Sequence, residues 1–413
     1  MKNVPHRSLF VAALFAGAAL ALTGCAQPSP RGPTPAPAAD DHGAVTGAAE
    51  VSEPQLALIT VDPDGDVHQL DLLDESVAEL GTVTAPVRTA TDGRYVFADG
   101  GEGVSIIDSG RWTWDHVDHF HYYLGEPALL GAVAGSGPAA VATTMSSTTG
   151  GTGIFFAGSG EAVLLDTGAL AKGEIVERFR IQTGAHDGVV VPLGSFALVT
   201  QPRDGVAASV TVLDEHGVLV PGATAACADA RGTVTTRVGA VIGCADGALL
   251  ASLVDGAVEI ERIAYPADTA VPPARAFAGR DGRPTVAGLA GTDTIWLLDT
   301  RDRAWTLLRV DRPIVQATAV DDEADHVLAL GADGRVLVID GVSGQTIAQT
   351  EPLVAESLAT DVGSPALVAD QHRAYLNAPA EGVLYEIDFA DGARIARTFP
   401  TPAMPAFLAE TGR

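Results

Sequence analysis

Asp333-Gly334 followed by RVLVIDG (335–341) sets the pattern of this chain. An apolar, β-branched run ends in Asp, a turn follows, and another strand begins. The Asp-Gly pair supplies the positive φ angles that tight hairpins require. The same element returns as VHQLDLLD (67–74), GVSIIDSG (103–110), AVLLDTG (162–168), SVTVLDEHG (209–217), TIWLLDT (294–300) and VLYEIDF (383–389). A degenerate copy, GAVEIERI (256–263), fills the gap after residue 217. The usual spacing is roughly 40 residues, the length of one four-stranded propeller blade. The stretch between 110 and 162 is longer, and SSTTGGTG (146–153) accounts for part of it as a hairpin insertion. Helical periodicity is almost absent, so the chain reads as all-β.

Eight copies predict a single β-propeller of eight blades; seven is the alternative if the first copy is an extra edge strand. That first copy lacks an innermost strand before it. Ala406–Ala409, near the end of the sequence, can supply one and close the ring, which protects edges that would otherwise template aggregation. Stacked sandwiches fit less well, because one period runs from end to end.

The N-terminus has a different character. Lys2 and Arg7 precede an apolar run from Leu9 to Leu22, and Leu22-Thr23-Gly24-Cys25 follows. The run is too short to span a bilayer and has the charge layout of a secretion signal. Residues 1–24 are therefore expected to be a lipoprotein signal peptide, with Cys25 as the lipidated first residue of the mature chain. AQPSPRGPTPAPAAD (26–40) cannot bury a core, so residues 25–48 read as a tether and 49–413 as the propeller domain. The expected location is the cell membrane, reached only through the lipid, on the extracellular or periplasmic side.

The formal net charge is −27, and −29 once Lys2 and Arg7 leave with the signal. Nucleic acid and anionic headgroups are poor partners for such a chain, since both need clustered Lys and Arg. Cations and basic proteins are better ones, and a monomer is expected. Cys227 and Cys244 remain in an oxidising compartment, and a disulfide between them is the default. A thiolate metal site would need more ligands at tighter spacing.

Histidine is where chemistry concentrates. DHVDHFHYY (115–123) holds three within six residues. On a strand, His119 and His121 share a face about 6.5 Å apart and can approach one cation together. His116 has the opposite parity and joins them only where the chain bends. Asp115 and Asp118 can ligate or orient an imidazole. Zinc takes three or four N/O ligands, so a further donor is needed, and His186-Asp187, in TGAHDGVVVPLG, is the candidate. His68, His216, His326 and His372 are isolated and read as surface or turn residues, while Asp40-Asp41-His42 in the tether is only a candidate for a weak auxiliary capture site. G-x-S-x-G, the P-loop, H-E-x-x-H and C-x-x-C are all missing, so no enzyme is expected.

At these residues the chain resembles the AztD-type zinc metallochaperone family, extracytoplasmic β-propellers associated with zinc ABC transporters. The resemblance rests on GAAEVSEPQLALITVD (47–62), DLLDES (71–76), DHVDHFHYY (115–123), GAHDGVVVPLG (184–194), GCADG (243–247) and YLNAPAEGVLYEIDFADGARIARTF (375–399) with FLAETGR (407–413). It implies zinc binding by His116, His119, His121, His186 and Asp187, and hand-over to the transporter's solute-binding protein without catalysis. Two positions depart from the family pattern. Ala140 follows Pro138-Ala139 where the family has His, and Arg231 stands where a His usually follows the first cysteine. Their loss motivates the alternative: a metal-depleted propeller that binds a partner protein at the cell surface.

Overall fold

The computed structural model describes residues 45, 47–115, 119–267, 269–360 and 363–413. Among them, eight antiparallel sheets follow one another along the chain, with a ninth, three-stranded sheet inserted in the second. Seven of the eight have four strands, five of them in simple meander order. The sixth has three, Thr285–Leu289, Thr294–Asp299 and Ala304–Arg309, extended by a bridge from Ala278 to Ala287. Among the described residues, helix is limited to Thr167–Leu170 and Ala355–Ala359. No helix among the described residues is long and apolar enough to cross a membrane.

Burial explains why apolar runs dominate the second strand of each sheet. Ala57–Val61, Tyr95–Asp99, Gly151–Phe156 and Ala240–Cys244 are buried at every position. A strand covered on both faces cannot alternate polar with apolar. The outermost strands can, and Leu219–Ala226 and Ala257–Ala264 alternate or stay largely exposed.

The core is not one mass but a series of wedges between consecutive sheets. Val96, Ala98 and Ile107 of the second sheet pack on Ile59, Val61 and Val67 of the first. Corresponding clusters join each sheet to the next. The series ends with Tyr375, Leu384 and Phe399 of the eighth sheet packed on Leu58, Leu70 and Leu72 of the first. Phe407–Thr411 pairs antiparallel with Ala57–Val61, so the innermost strand of the first sheet comes from the far end of the sequence.

Two details of the repeat reading change. GAVEIERI is the outermost strand of its sheet, and the third strand, equivalent to the other copies, is Gly247–Val254. The two are joined by a tight hairpin at Asp255-Gly256, with φ of 50° and 79°, and Ala251, opposite Ala240 at the start of the second strand, stands where the other copies have Asp, so the phase is not marked. The long interval after residue 110 arises from a hairpin of Arg111–Asp115 and Phe120–Gly125, inserted between the third and fourth strands of the second sheet. SSTTGGTG instead runs from a loop held by the hydroxyls of Ser146, Thr148 and Thr149 into the second strand of the third sheet, Gly151–Phe156.

Candidate metal site

The inserted hairpin does not stand alone. Ala48–Val51 adds a third strand along its outer edge, pairing Glu50 with Tyr123 and Val51 with Tyr122. Period-two alternation then sorts the side chains. Trp112 faces Tyr123 and Trp114 faces His121 across the hairpin, each pair stacked at ring distances of 4.9 and 5.3 Å. The Arg94 guanidinium, held by two hydrogen bonds to Asp108, lies 3.8 Å over the Trp112 ring. This aromatic row gives the hairpin a rigid base.

His121 is 5% exposed at the end of that row. Its Nδ1 is 2.7 Å from Oε1 of Glu50, and its Nε2 is 2.9 Å from Nε2 of His119. A carboxylate only accepts, so Nδ1 of His121 carries a hydrogen, and in the neutral ring Nε2 then presents its lone pair. His119 then donates from its own Nε2. Two imidazole nitrogens thus face one point, with a carboxylate behind one of them. His116 and Asp118 lie outside the described residues, as does Cys25, and Asp115 is exposed at the hairpin's end.

His186 and Asp187 lie elsewhere, for reasons of strand direction. The hairpin leaves the second sheet at Asp108, beside Tyr95, at the end of the sheet where the second strand begins. At the other end, Arg88 pairs with Asp99. That end opens on a cavity of about 480 Å³ lined by Arg88, Asp99, Ala140, Asp187, Arg231 and Arg275 among others. His186-Asp187 is therefore placed at the mouth end, and the hairpin at the opposite end of the second sheet. His186 is buried, with Nδ1 donating to the Gly184 carbonyl at 2.7 Å and Nε2 accepting from Thr200 at 2.9 Å. Phe155 packs edge-on against its ring at 4.6 Å. Both ring nitrogens are thereby engaged in holding a turn. Asp187 pairs with Arg231 at 3.4 Å, and Arg231 also binds Asp229 at 2.8 Å. Burial works to raise the Asp229 carboxyl, but hydrogen bonds from Arg231 and Arg275 outweigh it and hold it below the ordinary value. Such a mouth is already neutralised by its own guanidinium groups.

No family profile matches the chain. A curated relative, the zinc chaperone AztD of Citrobacter koseri, is 25% identical over 336 residues, covering 78% of each chain. Two solved structures of that protein, one of them its apo form, superpose with a TM-score of 0.74 at 23% identity, covering 87% of this chain and 98% of theirs. The chain is AztD-like in sequence and in fold. Sqt1 of Chaetomium thermophilum, solved with the N-terminus of ribosomal protein L10, shares the fold more distantly, with a TM-score of 0.50 at 12% identity over 78% of this chain and 94% of its own.

In this AztD-like chain the two departing positions, Ala140 and Arg231, both line the mouth cavity. Among the described residues, no group of three or more His, Cys, Asp or Glu side chains is placed to hold a metal ion. What the hairpin offers is a pair. Two nitrogens on one tetrahedral first-row cation stand about 3.3 Å apart, so His119 and His121 need to part only slightly. The donors fit an imidazole-binding cation, with His116 adjoining them in sequence. Glu50 escapes sequence reasoning because it lies 71 residues from His121. Only the pairing of Ala48–Val51 with the hairpin brings it there, and no local spacing announces that pairing.

Proposed function

We propose that this chain is an extracytoplasmic zinc chaperone that takes up the ion at His119 and His121, with His116 as a third ligand. It releases the ion to the solute-binding protein of a zinc ABC transporter and does no chemistry on it. The observation that carries this reading is the facing pair of Nε2 atoms, 2.9 Å apart, backed by Glu50. The name of the curated relative supports the cargo, and the net charge of −27 favours a cation over an anion. Release suits a site of few ligands near the protein surface.

The rest of the proposal concerns placement. Residues 1–24 are a signal peptide, Cys25 carries the lipid, and 25–48 tether an eight-bladed ring to the outer face of the membrane as a monomer. The wedge between the eighth and first sheets supports a closed ring. Cys227 and Cys244, whose sulfurs are 2.00 Å apart, form a disulfide in that oxidising compartment.

Calorimetric titration of the metal-free mature protein with zinc tests the function. Binding in the micromolar range or tighter, lost together in His119→Ala and His121→Ala, is expected; affinity no better than millimolar overturns it. The mouth favours a second reading, a protein-binding scaffold, because Arg231 and Ala140 leave it without imidazoles. Capture of the solute-binding protein equally well with and without chelator would favour that alternative.

A further inference from the structure

The strand Ala48–Val51 buries little by itself. Its four residues are half-buried or exposed, and it pairs only with the hairpin strand Phe120–Gly125. Yet it carries the carboxylate that meets His121. The geometry points to Glu50 as a positioning residue: by accepting the Nδ1 hydrogen of His121 it fixes the ring's tautomer and turns Nε2 toward His119. The consequence for cargo rests on the zinc reading above; the effect on the imidazole does not.

Three observations converge on this role. Glu50 and Tyr123 are direct partners across the strands, and His121, two residues before Tyr123, is on the same face. The 2.7 Å separation is that of a charge-assisted hydrogen bond. Trp114 stacks on His121 at 5.3 Å with an interplanar angle of 24°, so the ring is clamped by its plane as well as by one nitrogen. With the plane fixed by Trp114 and Nδ1 by Glu50, the remaining nitrogen has one direction. That direction is His119. A carboxylate behind a ligating imidazole also raises its basicity, and loss of such a partner costs about 10–100-fold in metal affinity.

Glu50 belongs to the strand that adjoins the expected tether, so the site is completed by the first strand of the domain. The hairpin has the imidazoles and the N-terminal strand has their orientation.

The test uses the whole mature chain and compares wild type with Glu50→Ala and Glu50→Gln. Long-range ¹H–¹⁵N spectra of the metal-free proteins report the His121 tautomer, and chelator competition reports zinc affinity. Wild type is expected to show one tautomer with hydrogen on Nδ1. Glu50→Ala should show a mixture and bind zinc about 10–100-fold more weakly. Glu50→Gln keeps an acceptor oxygen and should restore much of the wild-type tautomer. An unchanged tautomer in Glu50→Ala overturns the proposal. A shifted tautomer in a protein whose wild type binds no zinc supports the positioning and sinks the zinc reading instead. Should Glu50→Ala unfold, Glu50→Gln alone decides, since loss of the tautomer signal there in a folded protein also counts against an acceptor role.

Discussion

Arg231 pairs with Asp187 at the mouth cavity, its Nη1 3.4 Å from Oδ2, while its Nε holds Asp229 at 2.8 Å. Asp187 is well exposed, so the pair contributes little to stability. Its effect is electrostatic: a fixed positive charge at the mouth disfavours a cation there. Restoring imidazoles with the double change Ala140→His and Arg231→His should create a second zinc site at the mouth. Calorimetry should then give a stoichiometry one higher than wild type. An unchanged stoichiometry would show that the mouth lacks the geometry, whatever its charge.

Glu410 lies fully buried in the innermost strand of the first sheet, with Oε1 lacking a hydrogen-bond partner and Oε2 3.3 Å from Arg413. Burial raises its carboxyl to about 7, with Arg413 opposing and Asp370 and Asp281 adding to the rise. Asp92 rises to about 6, again chiefly by burial, opposed by hydrogen bonds from Arg94 and Tyr95. Both groups bind protons more tightly folded than unfolded. Their contribution to stability is therefore complete at low pH, below the unfolded carboxyl range, and is lost as pH rises through 6 to 7. The melting temperature should be higher at pH 5.5 than at pH 8. Glu410→Gln should flatten that slope and stabilise the protein at pH 8 by at most about 3 kcal/mol. A wild-type melting temperature that climbs between pH 5.5 and 8 would refute the assignment.

The pair Cys227 and Cys244 is buried in the wedge between the fourth and fifth sheets, with Cα atoms 5.1 Å apart and a sequence separation of 17. Closing a loop of that size removes about 3 kcal/mol of unfolded-state entropy. Dithiothreitol should lower the urea midpoint accordingly, and the double variant Cys227→Ala, Cys244→Ala should no longer respond to reductant. A midpoint indifferent to reductant in the wild type would mean that the bond does not form.

What could be read without coordinates follows a physical divide. Strands such as Val336–Asp340 and Thr294–Asp299 announce themselves because burial on both faces demands continuous apolar runs, and Asp closes each run by capping the turn through its side chain, as Asp340 does for Val342 and Ser343. The adjacency of His119 and His121 was also legible, since strand parity is local. The partner of His186 was not, because a lone His-Asp dipeptide says nothing about which hydrogen bonds it makes. Thr200, 14 residues away, settles that. The phase of the fifth sheet was hidden by a single missing Asp.

The antiparallel pairing of Phe407–Thr411 with Ala57–Val61 joins segments some 350 residues apart, so the first sheet depends on both ends of the chain. Leu408 is 5% exposed there and packs with Leu58, Tyr375, Leu384 and Phe399. A charge at this position would be buried without a partner, which costs several kcal/mol unless the strand detaches. Leu408→Asp should therefore lower the urea midpoint by the equivalent of about 3 kcal/mol and expose the edge of Ala57–Val61 to hydrogen exchange. Val342→Asp is the control, since Val342 is 76% exposed in a turn, and surface changes of this kind stay within about 0.5 kcal/mol. If both variants unfold at the wild-type midpoint, the strand is an accessory rather than the closing piece, and the first sheet must be stable with three strands.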